Sequence, residues 1–114
     1  MSDCLFCRIV AGEIPATVVR ETDQILAFRD ISPKAPVHVL VIPKAHHTDL
    51  PALAAADPGL AGQLLAEAAA VAEAEGVASS GYRTIFNTGP DSGQEVFHVH
   101  AHVLGGRPLG ALVG

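Results

Sequence analysis

The sequence predicts an α+β fold, a single-layer antiparallel sheet of about five strands with one long and one short helix. Three observations carry that expectation. Five segments rich in β-branched or aromatic residues are bounded by Gly, Pro, Asn or Asp. Most are joined by short turn-rich connections, which favour antiparallel pairing, and only one stretch is long and Ala-rich enough for a main helix. At 114 residues the chain falls short of the roughly 150 that serve as a prior for one domain, so residues 1–114 are read as a single domain.

Asp3 to Gly12 reads as the short helix. Asp3 is placed to cap it, Leu5, Phe6, Ile9 and Val10 recur at helical spacing, and Gly12 stops it. Ile14-Pro15 then returns the chain to extended geometry. Thr17–Glu21 and Ile25–Arg29 follow as strands around a tight connection, and the prolines of Asp30–Pro36 make that stretch a loop. Val37–Ile42 is the most β-rich run and closes at Pro43. Asp57-Pro58 pairs an acidic cap with a first-turn proline and opens the long helix, Leu60–Glu75, which Gly76 ends. Tyr82–Asn87 and Val96–Leu104 complete the sheet, separated by the turn-rich Thr88–Gly93.

Composition bounds the function. The chain is 49% hydrophobic with a mean hydropathy of +0.35, enough apolar material for one core. Seven Lys+Arg against twelve Asp+Glu leave a net charge of −5, which argues against nucleic-acid binding by counter-ion release and against a polybasic membrane anchor. A local phosphate site stays compatible with that balance. The apolar run Val37–Pro43 is far below the roughly 18 residues of a membrane span. The N-terminus lacks the basic and apolar regions of a secretory signal, and two cysteines make no disulfide framework, so a cytoplasmic location is expected.

The anomaly is histidine. There are six, and five fall in two tight groups, His46-His47 and His98, His100, His102. In Phe97-His98-Val99-His100-Ala101-His102-Val103 the types alternate. On a strand, Phe97, Val99, Ala101 and Val103 would pack on one face while the three histidines share the other. Neighbouring imidazoles would then be about 6.8 Å apart at Cα, and the outer two about 13–14 Å. Two neighbours can converge on one phosphate, but three on a straight strand cannot all bind one ion. The spacing therefore favours phosphate chemistry, one imidazole attacking phosphorus while its neighbour handles another of its substituents. A solvated polar face that happens to use histidine is the alternative. Asn87, Gly89, Gly93 and Gln94, just before the triad, offer flexible backbone and amide donors to a phosphate, although any β-connection uses such residues.

Cys4-x-x-Cys7 allows three readings: a redox dithiol, which lacks its usual βαβ setting; two unreacting thiols; or half of a Cys₂His₂ zinc shell.

With these residues in view, the sequence resembles the histidine-triad (HIT) nucleotide-binding proteins. His98-Val99-His100-Ala101-His102-Val103 carries the likeness. It extends through Cys4–Ile9, Glu13–Ala16, Ala27–Pro33, Val41–His46 and Gly93–Phe97, and Gly105–Gly110 is similar to the bacterial Hint-type branch. The resemblance implies hydrolysis of the P–N bond of a purine nucleoside 5′-phosphoramidate, giving a nucleoside 5′-monophosphate such as AMP. It implies His100 as nucleophile, His102 on the phosphate and leaving group, and His98 and His46 in support. Asp30 would hold the ribose hydroxyls, Leu5, Phe6, Ile9, Phe28 and Ile31 the base, and Asn87, Gly93, Gln94 and Val96 the phosphate side. For those apolar residues ordinary core is the competing reading. The resemblance also implies a homodimer with a sheet continuous across two subunits. Where zinc is bound, His46 and His98 would join Cys4 and Cys7 in a structural site, the chemistry itself needing no metal.

Three departures from animal members stand out. The Trp-containing tail is missing after Gly110, Glu95 stands in place of Ser, and Phe97 in place of Tyr. Three other functions were weighed against the phosphoramidase: a dinucleoside-polyphosphate hydrolase, disfavoured by the Gly105–Gly110 ending; a regulatory nucleotide-binding module, for which a nucleophile is superfluous; and a zinc hydrolase, which needs an open coordination position.

Overall fold

The computed structural model describes residues 3–111. Five antiparallel strands form one sheet in the order β1-β2-β3-β5-β4: β1 Val18–Glu21, β2 Ile25–Arg29, β3 Val37–Pro43, β4 Tyr82–Phe86 and β5 Ala101–Gly105. The helices are α1 (Leu5–Val10), α2 (Leu50–Ala56) and α3 (Pro58–Ala74), with one 3₁₀ turn at Pro90–Ser92. The α+β expectation holds, with one helix more than anticipated. Asp49 caps α2 by accepting from the Ala52 N–H, and Asp57 caps α3 by accepting from Leu60, so two acidic caps divide one Ala-rich region into two helices.

The strand period of two sorts the core into two layers. Ile25, Ala27, Val39, Val41, Ala101 and Val103 face one way and meet Leu53 of α2 and Leu60, Leu64 and Val71 of α3. Leu26, Phe28, Leu40 and Ile42 face the other way and meet Phe6 of α1. The long helix thus seals one face of the sheet, while the short helix covers only part of the other. Even-numbered residues of β3 and β5 reach that second face, His38 and His102 among them. Among the described residues no helix is long and apolar enough to cross a membrane.

Two local expectations need correcting. Cys4, not Asp3, is the N-cap of α1, and its Sγ accepts from the Cys7 N–H. The strand expected over Val96–Leu104 begins only at Ala101. Its neighbours stop supporting it there: the ladders end at Val41↔Ala101 on one side and Phe86↔Ala101 on the other. Val99 instead donates its N–H to the His47 carbonyl at 2.7 Å, and Phe97 stands 53% exposed, off the face it was expected to share with Val99.

Candidate active site

The bend before β5 gives the three histidines different neighbours. The His98 Nε2–H donates to the Pro43 carbonyl at 2.8 Å, which leaves Nδ1 as a bare lone pair. That nitrogen lies 3.3 Å from Cys4 Sγ and 3.5 Å from Cys7 Sγ, while His46 Nδ1 lies 3.4 Å from Cys7 Sγ. The four donor atoms all lie within 4.8 Å of one another. A tetrahedral zinc with ordinary bond lengths separates sulfur from nitrogen by about 3.6 Å, so this donor set fits a Cys₂His₂ shell. The sequence spans involved are long, since Cys4 and His98 are 94 positions apart.

His100 is held differently. Its Nδ1–H donates to the His98 carbonyl at 2.8 Å, so Nε2 carries the lone pair. Phe6 meets the ring edge-on, centroids 5.1 Å apart, and the His102 ring is 4.9 Å away. Burial lowers the His100 pKa against the opposing effects of the His98 carbonyl and Asp30, which keeps the ring neutral at physiological pH.

His102 is reached by a chain of donors. The Lys34 N–H donates to His38 Nδ1 at 3.1 Å, so His38 carries its proton on Nε2 and donates it to His102 Nδ1 at 2.9 Å. His102 therefore presents an N–H at Nε2. Burial, with the neighbouring His100 and His38, pushes its pKa down to about 4. Asp30 Oδ2 lies 3.5 Å from His38 Nε2, and Asp30 Oδ1 accepts from the Ser32 N–H. Asp30, His38 and His102 also lie close enough to suggest a second metal cluster. The Lys34 N–H argues against it, because a metal on His38 Nε2 would force a proton onto Nδ1, donor against donor.

His38 lies outside both histidine groups and is the residue that local sequence reasoning left without a role in the site. The only signal was its place on the same face of β3 as Leu40, which pairs with His102. Of the other expected residues, Phe6, Phe28 and Ile9 gather in one apolar cluster, Phe6 against Phe28 at 5.5 Å. Leu5 is 44% exposed and Ile31 97% exposed. Leu5 and Val96 line an open groove of about 440 Å³ beside the cysteines, which Asp3, Glu95 and Phe97 border. Gln94 is buried with both donors engaged, at Thr48 O and Val96 O, while its oxygen accepts from the Gly89 N–H. Its side chain ties the loop together. Gly89 and Gly93, at φ +81° and +85°, shape that loop in a region only glycine enters easily. Asn87 is half-buried, and His47 offers its carbonyl to the Val99 N–H.

The HIT domain family matches residues 11–109. The chain belongs to the HIT family. A protein of Escherichia coli K12 named purine nucleoside phosphoramidase is 44% identical over 97% of this chain and 93% of that protein. A HIT family hydrolase from Legionella pneumophila superposes with a TM-score of 0.93 at 49% identity, covering 98% of this chain and all of that one. A histidine triad protein from Clostridium difficile gives 0.92 at 40%, covering 97% and 96%. The HIT motif here is therefore the bent segment His98–His102, with only its last histidine inside the sheet.

Proposed function

We propose that this protein hydrolyses the P–N bond of purine nucleoside 5′-phosphoramidates through a nucleotidyl-histidine intermediate. The observation that carries the reading is the His100 ring, neutral, fixed with its proton on Nδ1 and its Nε2 lone pair available beside the His102 N–H. The E. coli relative's name points to the same substrate class.

In the first half-reaction His100 Nε2 bonds to phosphorus as the P–N bond breaks, and the amine leaves with a proton from the His102 edge. In the second, water attacks phosphorus and displaces His100, and its proton returns to His102. The anionic phosphate offsets the burial that lowers the His102 pKa, so this ring holds the extra proton on Nδ1 while substrate is bound, the His38 Nε2–H then turning to Asp30 Oδ2, 3.5 Å away. Asp30 has one oxygen not engaged by Ser32 and serves the ribose diol. The apolar cluster around Phe6, Ile9 and Phe28 serves the base, with Leu5 and Ile31 at its exposed margin. The loop of Asn87, Gly93, Gln94 and Val96 serves the phosphate side through its backbone.

Cys4, Cys7, His46 and His98 would hold zinc, which supplies cross-linking of α1 to the triad segment and takes no part in bond breaking. Metal analysis of protein purified without chelator should find about one zinc per chain. The outer edge of β4 would pair with a second copy of the chain, with Leu65 of α3, 55% exposed, buried in the same contact. Sedimentation should then report a dimer. Turnover of an adenosine 5′-phosphoramidate, with and without His100→Ala, tests the central reading. The variant should lose about 10³-fold or more in rate. Near-normal turnover by the variant, abolished by a chelator, would favour metal-bound water instead.

A further inference from the structure

We propose that the Cys4–Cys7–His46–His98 cluster positions the nucleophile, acting through His98. The inference rests on His100 being the nucleophile and adds a second task to what would otherwise be a structural staple.

The reason lies in the early end of β5. In an uninterrupted strand, ladder bonds would hold the backbone carrying His98 and His100. Here the ladder stops at Ala101, so the His98 carbonyl, which selects the Nδ1–H tautomer of His100, is not held by sheet pairing. Two other ties hold it: the Val99 N–H of the same peptide unit donates to the His47 carbonyl at 2.7 Å, next to His46 of the cluster, and the His98 side chain anchors the residue. One ring nitrogen is tied to the Pro43 carbonyl and the other faces the two sulfurs, so the residue is gripped from both ends.

A second contact runs the same way. Cys4, Phe6 and Cys7 share the first turn of α1, and Phe6 packs edge-on against both His98 and His100, at 5.9 and 5.1 Å. A metal that draws the thiolates and His98 Nδ1 together fixes the turn that presses Phe6 against His100. If the cluster loosens, His98 and, through His46, the His47 carbonyl that holds the same peptide unit both lose an anchor, the His98 carbonyl shifts, and the His100 proton redistributes between its nitrogens. The fraction of rings offering a correctly aimed Nε2 lone pair then falls.

The test uses ¹⁵N-histidine-labelled protein in three forms: zinc-loaded, stripped of metal by chelation, and His46→Gln. His46 is exposed and lies outside α1 and the triad segment, so this substitution weakens the cluster with little disturbance of the core. The ring-nitrogen shifts of His100 should report one Nδ1–H tautomer in the loaded protein and a mixture in the other two. kcat should fall about tenfold in the altered forms, with KM for the phosphoramidate changing less than about twofold. Unchanged His100 shifts in both altered forms would overturn the proposal. So would loss of the dispersed backbone amide signals of His38 in β3 and His102 in β5 in both, which would reduce the cluster to a folding staple. A tautomer change without loss of kcat would uphold the coupling and instead sink the reading of His100 as nucleophile.

Discussion

His38 Nε2 lies 2.9 Å from His102 Nδ1, joining β3 to β5 through side chains 64 positions apart. Because the Lys34 N–H occupies the other nitrogen of His38, the direction of donation is set, and His102 is oriented with its own N–H outward. Replacing His38 by Ala should leave His102 free to take either tautomer. We expect kcat to fall about 10- to 100-fold, with KM less affected. His38→Asn, which keeps a donor, should recover part of the loss. Steady-state kinetics on a phosphoramidate decide it, and an Ala variant within twofold of the parent protein would remove His38 from the machinery.

Both rings also make stability depend on pH. Burial lowers the folded-state pKa of His38, and that of His102 to about 4, against about 6.5 unfolded. Between those values the unfolded chain binds more protons than the folded one, so stability rises with pH. The contribution is fully present above about pH 6.5 and is lost as pH falls toward about 4. Thermal melts at pH 7 and pH 5 should differ by about 5 °C or more, the acidic one being lower. His102→Asn should shrink the difference; an unchanged pH dependence in that variant would contradict the assignment.

Asp30 offers a sharper test of the substrate reading. Asn at this position keeps the acceptor for the Ser32 N–H and removes the charge facing the ribose. KM for a ribonucleoside phosphoramidate should rise about tenfold, the worth of a hydrogen bond to a charged group. The 2′,3′-dideoxy analogue should show no such rise. Equal effects on both substrates would place the ribose elsewhere.

The helical face of the sheet should govern stability alone. Leu64 is fully buried between α3 and the strands, remote in the fold from the triad side. Leu64→Ala should cost about 2–5 kcal/mol in denaturant unfolding and leave kcat at low temperature nearly unchanged. A large kcat loss in protein that is still folded would show that the two faces communicate.

What the sequence disclosed followed the range of each signal. Strand alternation and Pro or Gly punctuation are local, and β1 to β4 fall within a residue of where those signals put them. The caps Asp57 and Gly76 similarly bracket the long helix. Helix α2 was hidden because Leu50–Ala56 is short and opens on Pro51 with no clear apolar period. The start of β5 was misread because the segment's own alternation continues through Val99, whereas its partners' pairing does not. The triad was visible as a pattern, but the separate environments of its rings depend on Pro43, Lys34 and the cysteines, all distant in sequence. The role of His38 depends on register between strands, which no local pattern encodes.

Rapid-quench mass spectrometry during turnover of an adenosine 5′-phosphoramidate tests the nucleophile most directly. The account predicts a transient adenylyl adduct on the peptide containing His100, absent in His100→Ala, that forms and decays at rates matching kcat. Turnover with no adduct, or an adduct on another side chain, would contradict it.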